Sequence, residues 1–258
     1  YYCDGGTGYP VRVTPRLLSR EACDIQFSSF GVLEGADVVI NCAAYTSTSG
    51  AERNPKDAFA VNTYAVERLA RYCAKHDIFL VHISTDYVFK GDADRPYRIG
   101  DVCEPLTVYG KSKLGGEFYA TTYSNNVAII RTGGLYGGPK SFVSRLLDSP
   151  SPVTVVDDQF TSTTYVADLA TAVLGIALGR GEGVFHVVNE GVVSWYEFAA
   201  ELIRLSGQDK ELLRGKRESW RPRYTALENS FPAAMRDWKS ALTACMRDRV
   251  FDKSLAGI

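Results

Sequence analysis

The chain has 258 residues, 45% of them apolar, which is enough for one large α/β domain, or a domain with a small lobe, around a substantial core. Its formal net charge of −1 at pH 7 gives no indication of binding to nucleic acid or to an anionic membrane. We find no apolar run long enough to span a bilayer and no signal peptide, so we expect a cytoplasmic protein.

The distribution of cysteine and histidine predicts neither a metal site nor a disulfide framework. The six cysteines are scattered without a C-x-x-C pair, and the three histidines stand singly. We therefore expect reduced thiols and no bound metal. His82 falls within a predicted strand, where a buried core role is expected rather than catalysis.

The glycines near the start of the chain resemble the G-x-x-G-x-x-G phosphate loop of dinucleotide-binding domains. In such a loop Gly5 and Gly8 would let the backbone approach a pyrophosphate, although Val11 stands in place of the third glycine. Only four residues precede this loop, so we expect the first strand to be truncated. A simple glycine turn is the alternative interpretation and stays open.

The segment from Asp37 to Ala44 predicts a buried strand that ends in small residues, namely Cys42, Ala43 and Ala44. A loop follows, and Asn54-Pro55 then leads into a helix. The small side chains at the strand end indicate close packing, either with the rest of the protein or with a ligand.

The next predicted strand runs through Val81 and ends in the hydroxyl residues Ser84 and Thr85. Ligands of open α/β sheets bind beyond the carboxyl ends of the strands. We therefore expect Ser84 and Thr85 to lie where a substrate binds.

A predicted helix follows, and it carries Tyr109 and Lys113 four residues apart, on one face. A cation beside a phenol lowers the pKa of that phenol, so the pair is suited to proton donation. On spacing alone, a surface helix with a half-buried tyrosine explains the pattern equally well.

Several motifs together make the chain similar to the dTDP-4-dehydrorhamnose reductases, which are extended short-chain dehydrogenases. The similarity runs from about Asp37 to about Leu227, and its most specific parts are Ser84 to Gly91, Pro96-Tyr97, Pro105-Leu106 and Tyr109 to Glu117. The same motifs resemble the β regulatory subunit of methionine adenosyltransferase, a relative of these reductases.

The resemblance implies roles for particular residues. Gly5, Gly8, Cys42, Ala43, Ala44, Tyr109 and Lys113 would contact the cofactor; Ser84, Asp86, Tyr87 and Arg221 would contact the substrate; Thr85, Tyr109 and Lys113 would be catalytic. An arginine suits a diphosphate because its guanidinium donates in a bidentate fork. Reductases of dehydrorhamnose carry a tryptophan where this chain has Gly134.

The expected fold is a doubly wound parallel sheet of the Rossmann type with a smaller C-terminal substrate lobe. Residues 1–140, with 164–188 returning to them, are expected to form the dinucleotide-binding domain, and residues 141–163 and 189–258 the lobe.

Two functions follow from the resemblance. The first is the reduction of a 4-keto-6-deoxy nucleotide sugar by NADPH or NADH, with Tyr109 as the proton donor, Lys113 lowering its pKa and holding the nicotinamide ribose, and Thr85 bonded to the carbonyl oxygen. The second is a non-catalytic regulatory subunit, whose partner would be the methionine adenosyltransferase catalytic subunit. A reductase would bind a nucleotide sugar, neither nucleic acid nor membrane, and could form a homodimer.

Overall fold

A computed structural model describes residues 2–3, 10–11, 16–19 and 23–248 of the chain. The predicted glycine loop with Gly5 and Gly8 lies outside these residues. The strands are β1 (Tyr2–Cys3), β2 (Pro10–Val11), β3 (Val38–Asn41), β4 (Phe79–Thr85), β5 (Val127–Thr132), β6 (Leu135–Tyr136), β7 (Val153–Val156), β8 (Phe160–Thr161), β9 (Thr164–Tyr165), β10 (Gly183–His186), β11 (Val193–Ser194) and β12 (Leu212–Gly215).

The helices alternate with the strands over most of the chain. They are α1 (Thr48–Arg53), α2 (Pro55–Phe59), α3 (Ala65–Lys75), α4 (Val108–Tyr123), α5 (Phe142–Asp148), α6 (Val166–Gly179), α7 (Trp195–Ser206) and α8 (Trp238–Asp248). A π-helical turn, Ala60–Tyr64, joins α2 to α3, and 3₁₀ turns cover Gly31–Leu33 and Asp86–Val88. No helix among the described residues is both long enough and apolar enough to cross a membrane.

The central sheet has four parallel strands in the order β3-β4-β5-β10. Alternate residues of its strands face opposite sides, because successive side chains of a strand point to opposite faces. Leu80 and Ile129 pack with α3 and α4 on one face, and Val81 and Ile130 pack with α6 on the other. Helices therefore cover both faces, and the predicted doubly wound fold is confirmed.

The N-terminal hairpin is separate from this sheet. Strands β1 and β2 pair only with each other, in antiparallel orientation, and β3 is the edge strand of the sheet within the described part of the chain. The expected first strand falls mainly on residues outside that part.

A second hydrophobic core lies around Phe198, which is fully buried in α7. It is built from α5, α7, α8 and the strands β6, β7, β9 and β11. The aromatic rings that surround Phe198 belong to Tyr136, Phe142, Trp195 and Trp238. The chain after β12 then returns to the central sheet, where Met235 packs near α6.

Candidate active site

The carboxyl end of β4 leads directly into the 3₁₀ turn Asp86–Val88, and Thr85 is the residue that joins them. Its hydroxyl accepts a hydrogen bond from the Tyr87 backbone N–H at 3.2 Å and donates to Asp86 Oδ1 at 2.9 Å. Thr85, the last residue of β4, is buried. The local turn therefore holds the threonine hydroxyl next to a carboxyl group.

Helix α4 begins against this turn. The Thr107 hydroxyl caps it by accepting from Gly110 N at 3.0 Å, and a Cβ atom on Gly110 would lie 2.1 Å from the Tyr87 carbonyl oxygen. This close approach brings Tyr109 to Tyr87, with ring centroids 5.8 Å apart in an edge-to-face arrangement. Glycine at position 110 thus allows α4 to pack closely against the turn after β4, so that Tyr109 lies at the end of that strand.

The pKa of Tyr109 is raised, because burial penalises the phenolate, and the nearby Thr85 hydroxyl only partly opposes that rise. Lys113 does not contribute to the shift in this structure. The expected lowering of the Tyr109 pKa by Lys113 is therefore not seen here, since the ammonium is bonded elsewhere.

Lys113 is 2% exposed, and its ammonium donates to the Ile83 carbonyl oxygen at 2.6 Å. Burial lowers the pKa of Lys113 to about 8, although the charge of Glu117 opposes this. Within residues 23–248 the ammonium forms no ion pair with a carboxylate. A buried cation with so few partners can readily exchange one of them for a ligand.

Asn41, at the end of β3, and Lys113 lie next to opposite nitrogens of the His82 ring. Asn41 Oδ1 accepts from Ala43 N at 3.1 Å, so the Asn41 amide nitrogen faces His82 Nδ1, at 3.0 Å. This orientation assigns the proton of the neutral His82 to Nε2, which lies 3.5 Å from Lys113 Nζ, so that contact brings two donors together and is not a hydrogen bond. Burial and the charge of Lys113 hold the pKa of His82 well below its usual range. His82 is buried, as expected, but it also contacts the predicted catalytic lysine.

Asn62, in the π-helical turn, connects the loop after β3 to α4 through hydrogen bonds. Its amide nitrogen donates to the Tyr45 carbonyl at 3.1 Å and to Ser112 Oγ at 2.9 Å, and its amide oxygen accepts from Tyr45 N at 2.8 Å. Ser112 Oγ in turn donates to the Tyr109 carbonyl at 2.8 Å. The loop after β3 is thereby fixed to the first turn of α4. Ser112 was not singled out by sequence reasoning, because a serine inside a helix carries no distinctive pattern.

Ser84 differs from its neighbour Thr85. Its hydroxyl donates to Glu117, which pairs with Arg131 through bonds of 3.1 Å and 2.7 Å. Because alternate residues of β4 face opposite sides, the Ser84 hydroxyl turns toward α4 and into this buried network, whereas the Thr85 hydroxyl faces the other side. The structure thus separates Ser84 from the other predicted substrate residues.

Asp86 is 3% exposed, and its carboxyl faces residues of β8 and of the segment after β5. The Thr161 hydroxyl at the end of β8 lies 3.4 Å from Asp86 Oδ2, and a Cβ atom on Gly133 would lie 2.6 Å from Asp86 Cγ. Burial raises the pKa of Asp86 to about 6, against the opposing effect of hydroxyl groups, including those of Thr225 and Thr85. The glycine after β5 leaves the space that this carboxyl occupies.

Tyr87 connects the turn to the segment that contains Arg221. Gln159 Nε2 donates to the Tyr87 hydroxyl at 3.1 Å. Burial raises the pKa of Tyr87, and the nearby Arg221 guanidinium opposes the rise. Arg221 also pairs with Glu218 at 3.0 Å and lies over the Trp220 ring at 4.5 Å. Tyr87 and Arg221, which are far apart in sequence and were both predicted, therefore lie close together. Gln159 also contacts Tyr87 and was not predicted.

The three small residues after β3 lie at the same edge of the sheet. Cys42 and Ala43 are exposed and Ala44 is half-buried, so their backbone is open to solvent beside the end of β4. Backbone lined by such small side chains can be approached closely by a flat ligand. Asn41, which precedes this strip, contacts the same His82 ring as Lys113.

Comparisons with known proteins agree with this architecture. Residues 29–251 match the model of a family described as the RmlD substrate binding domain. The chain is 41% identical over 236 residues to a dTDP-4-dehydrorhamnose reductase of Mycobacterium tuberculosis, covering 83% of this chain and 78% of that protein. It is 35% identical to a dTDP-4-keto-6-deoxy-D-glucose reductase of Streptomyces niveus, with 92% and 85% covered.

Two solved structures are similar over nearly the whole chain. A dTDP-4-dehydrorhamnose reductase from Clostridium acetobutylicum superposes with a TM-score of 0.85 at 32% identity, covering 89% of this chain and 88% of that one. A dTDP-4-dehydrorhamnose reductase from Bacillus anthracis, solved in complex with NADP, gives a TM-score of 0.86 at 29% identity, with 90% and 89% covered.

Proposed function

The chain belongs to the RmlD substrate binding domain family, and from this premise we propose that it is a nicotinamide-dependent reductase of a 4-keto-6-deoxy nucleotide sugar. The observation that carries the proposal is the grouping of Thr85, Tyr109 and Lys113 around the carboxyl end of β4. The alternative, a regulatory subunit of methionine adenosyltransferase, receives no support, because the relatives named above are all reductases.

The residues present fit a nicotinamide cofactor, and we propose NADPH as the preferred form. The exposed strip Cys42 to Ala44 offers open backbone, and Lys113 offers a cation that could exchange the Ile83 carbonyl for ribose hydroxyls. A bound reduced nicotinamide would supply the hydride. The Gly5 and Gly8 contacts with the pyrophosphate stay a prediction.

In the proposed reaction Tyr109 donates its proton to the oxygen of the reduced carbonyl group. Burial keeps the phenol protonated across the neutral range, so the acid form is always present before turnover. Lys113 would stabilise the negative charge that Tyr109 acquires, and Thr85 would bond the same substrate oxygen. These roles match the residues predicted from sequence and stay untested.

For the substrate we propose contacts from Asp86, Tyr87 and Arg221, with Gln159 added from the structure. Arg221 suits the diphosphate because it is the cation next to Tyr87 and is only partly exposed. At Gly134 the backbone has φ +55°, and a Cβ atom there would lie 2.9 Å from Thr163 Cα. A tryptophan does not fit at Gly134 without a backbone shift. The proposal therefore names the 4-keto-6-deoxy class and not a single sugar.

The test is NADPH oxidation, followed by absorbance, with dTDP-4-keto-6-deoxy sugars and the purified protein. Replacing Tyr109 with phenylalanine (Tyr109→Phe) is expected to lower kcat by about 10²–10⁴-fold, because the proton donor is lost, while NADPH affinity measured by fluorescence is retained. The matched control is Tyr119→Phe on the same helix, which should keep wild-type turnover. Full turnover by Tyr109→Phe would contradict the assignment, and a wild type without sugar-dependent oxidation would contradict the function.

We also propose the two-lobe division at residues 141–163 and 189–258, and a homodimer as the assembly. The separate core around Phe198 supports the division, whereas Met235, assigned to the lobe, packs near α6. Size-exclusion chromatography with light scattering tests the homodimer.

A further inference from the structure

The Thr85 hydroxyl has a single proton, and the structure shows where that proton points. Thr85 Oγ1 accepts from Tyr87 N at 3.2 Å and donates its proton to Asp86 Oδ1 at 2.9 Å, with the Tyr109 hydroxyl as a further polar neighbour. A hydroxyl that donates to a carboxylate cannot donate the same proton to a substrate oxygen. The direction of the Thr85–Asp86 bond therefore decides what Thr85 can do in the proposed reaction.

The surroundings of Asp86 allow that direction to reverse. Its carboxyl is 3% exposed and faces the hydroxyl groups of Thr85 and Thr161, each of which can donate or accept. Such neighbours satisfy both the ionised and the protonated carboxyl.

The charged and titratable groups nearby do not force the ionised form. They are Tyr87 on the same turn, Tyr109 on α4 and Arg221, which acts through Tyr87, while β8 and the end of β5 present Thr161 and Gly133. No ion pair holds the Asp86 carboxylate within the described part of the chain.

We propose that Asp86 is a positioning residue that sets the direction of the Thr85 proton. An ionised Asp86 holds that proton; a protonated Asp86 donates its own proton to Thr85 Oγ1 and releases the Thr85 proton toward the substrate oxygen. No proton is gained or lost by Thr85 in this exchange. The proposal rests on the proposed reductase function, and it makes Thr85 a hydrogen-bond donor to the substrate only when Asp86 is protonated.

The burial of Asp86 brings this exchange into an accessible pH range. Its pKa is raised to about 6, so the carboxyl changes its protonation state between mildly acidic and neutral conditions. The pKa of Tyr109 is raised and that of Lys113 is about 8, so neither group titrates in the same interval.

The test is the dependence of kcat on pH for the wild type and for Asp86→Asn. Wild-type kcat is expected to fall as the pH rises through about 6, toward a plateau lower by up to about 10²-fold, the loss expected when one donor to a developing oxyanion is removed. Asp86→Asn cannot ionise, so its kcat, at whatever level the altered substrate contact sets, should lack this fall with pH. Asp209→Asn, an exposed site in the second lobe, is the matched control and should follow the wild type.

A second variant keeps the test decisive where Asp86→Asn does not fold. Thr85→Val keeps the shape but removes the hydroxyl, so its kcat should be independent of pH near 6 and equal to the lower wild-type plateau. Wild-type turnover without a change near pH 6, or a folded Asp86→Asn whose kcat still falls near pH 6, would overturn the proposal. A wild type without any sugar-dependent turnover would instead refute the reductase function itself.

Discussion

Two buried cations, Arg131 and Lys113, lie where α4 packs on the sheet, and they differ in whether a carboxylate is paired with them. Arg131 is 6% exposed and forms a bidentate pair with Glu117, and its guanidinium lies 5.3 Å from the centre of the Phe89 ring. Lys113 is 2% exposed, and within residues 23–248 its ammonium donates to a backbone carbonyl, lies beside a neutral imidazole and forms no ion pair. The first cation has a paired carboxylate, and the second does not.

The difference appears in the pKa values. Although burial acts to lower it, the bonds and charge of Glu117 raise the pKa of Arg131. Burial lowers the pKa of Lys113 to about 8, because Glu117 lies too far away to form a pair. A compensated buried charge stabilises one structure, whereas an uncompensated one remains available to a ligand, which is the pattern expected of functional sites.

The largest expected effect is on turnover. Lys113→Met should lower kcat by at least about 10², since the proposed proton donor loses the neighbouring cation. Stability should not fall, because a Lys with a lowered folded-state pKa destabilises the native protein below about pH 8. The wild type should therefore gain stability relative to the variant as the pH rises from about 8 toward 10.5, as measured by urea unfolding. A variant that is markedly less stable at pH 7 would show that Lys113 is structural.

Arg131→Met is expected to have the opposite effect. It leaves the Glu117 charge buried without a partner, which should cost about 3–5 kcal/mol of unfolding free energy. The double variant Arg131→Met with Glu117→Gln should recover most of that loss, because neither residue of the pair then carries a charge. Urea denaturation of the three proteins provides the measurement, and equal stability of the single and double variants would remove the distinction between the two cations.

A smaller effect on the free energy of unfolding is expected at Asp86, which begins the 3₁₀ turn after β4 and has no ion-pair partner in the described part of the chain. Its pKa is raised to about 6 in the folded protein, from an ordinary 3.8, so its burial destabilises the native state above pH 6. Asp86→Asn should unfold with a free energy about 1–3 kcal/mol higher than the wild type at pH 7. The advantage should shrink as the pH falls from 6 to 4, and a difference that is constant with pH would contradict the assignment of the charge.

Much of this arrangement was predictable from local patterns. The apolar run before Ser84 predicted β4, the four-residue spacing predicted that Tyr109 and Lys113 share a helix face, and the parallel doubly wound sheet is confirmed. Strand alternation could also have separated Ser84 from Thr85, since one residue faces α4 and the next faces the other side. The glycine loop with Gly5 and Gly8 stays a prediction.

The sequence by itself determined the parts that depend on short-range periodicity: the strands, the helices and the residues at their ends. Only the tertiary structure decided which buried charge has a partner. Arg131 of β5 pairs with Glu117 of α4, whereas Lys113 of the same helix donates to a carbonyl of β4. The same holds for the direction of the Thr85 proton and for the joining of Gln159 to Tyr87. Burial and hydrogen-bond direction arise from groups that are distant in the chain, so they are set by packing and not by local pattern.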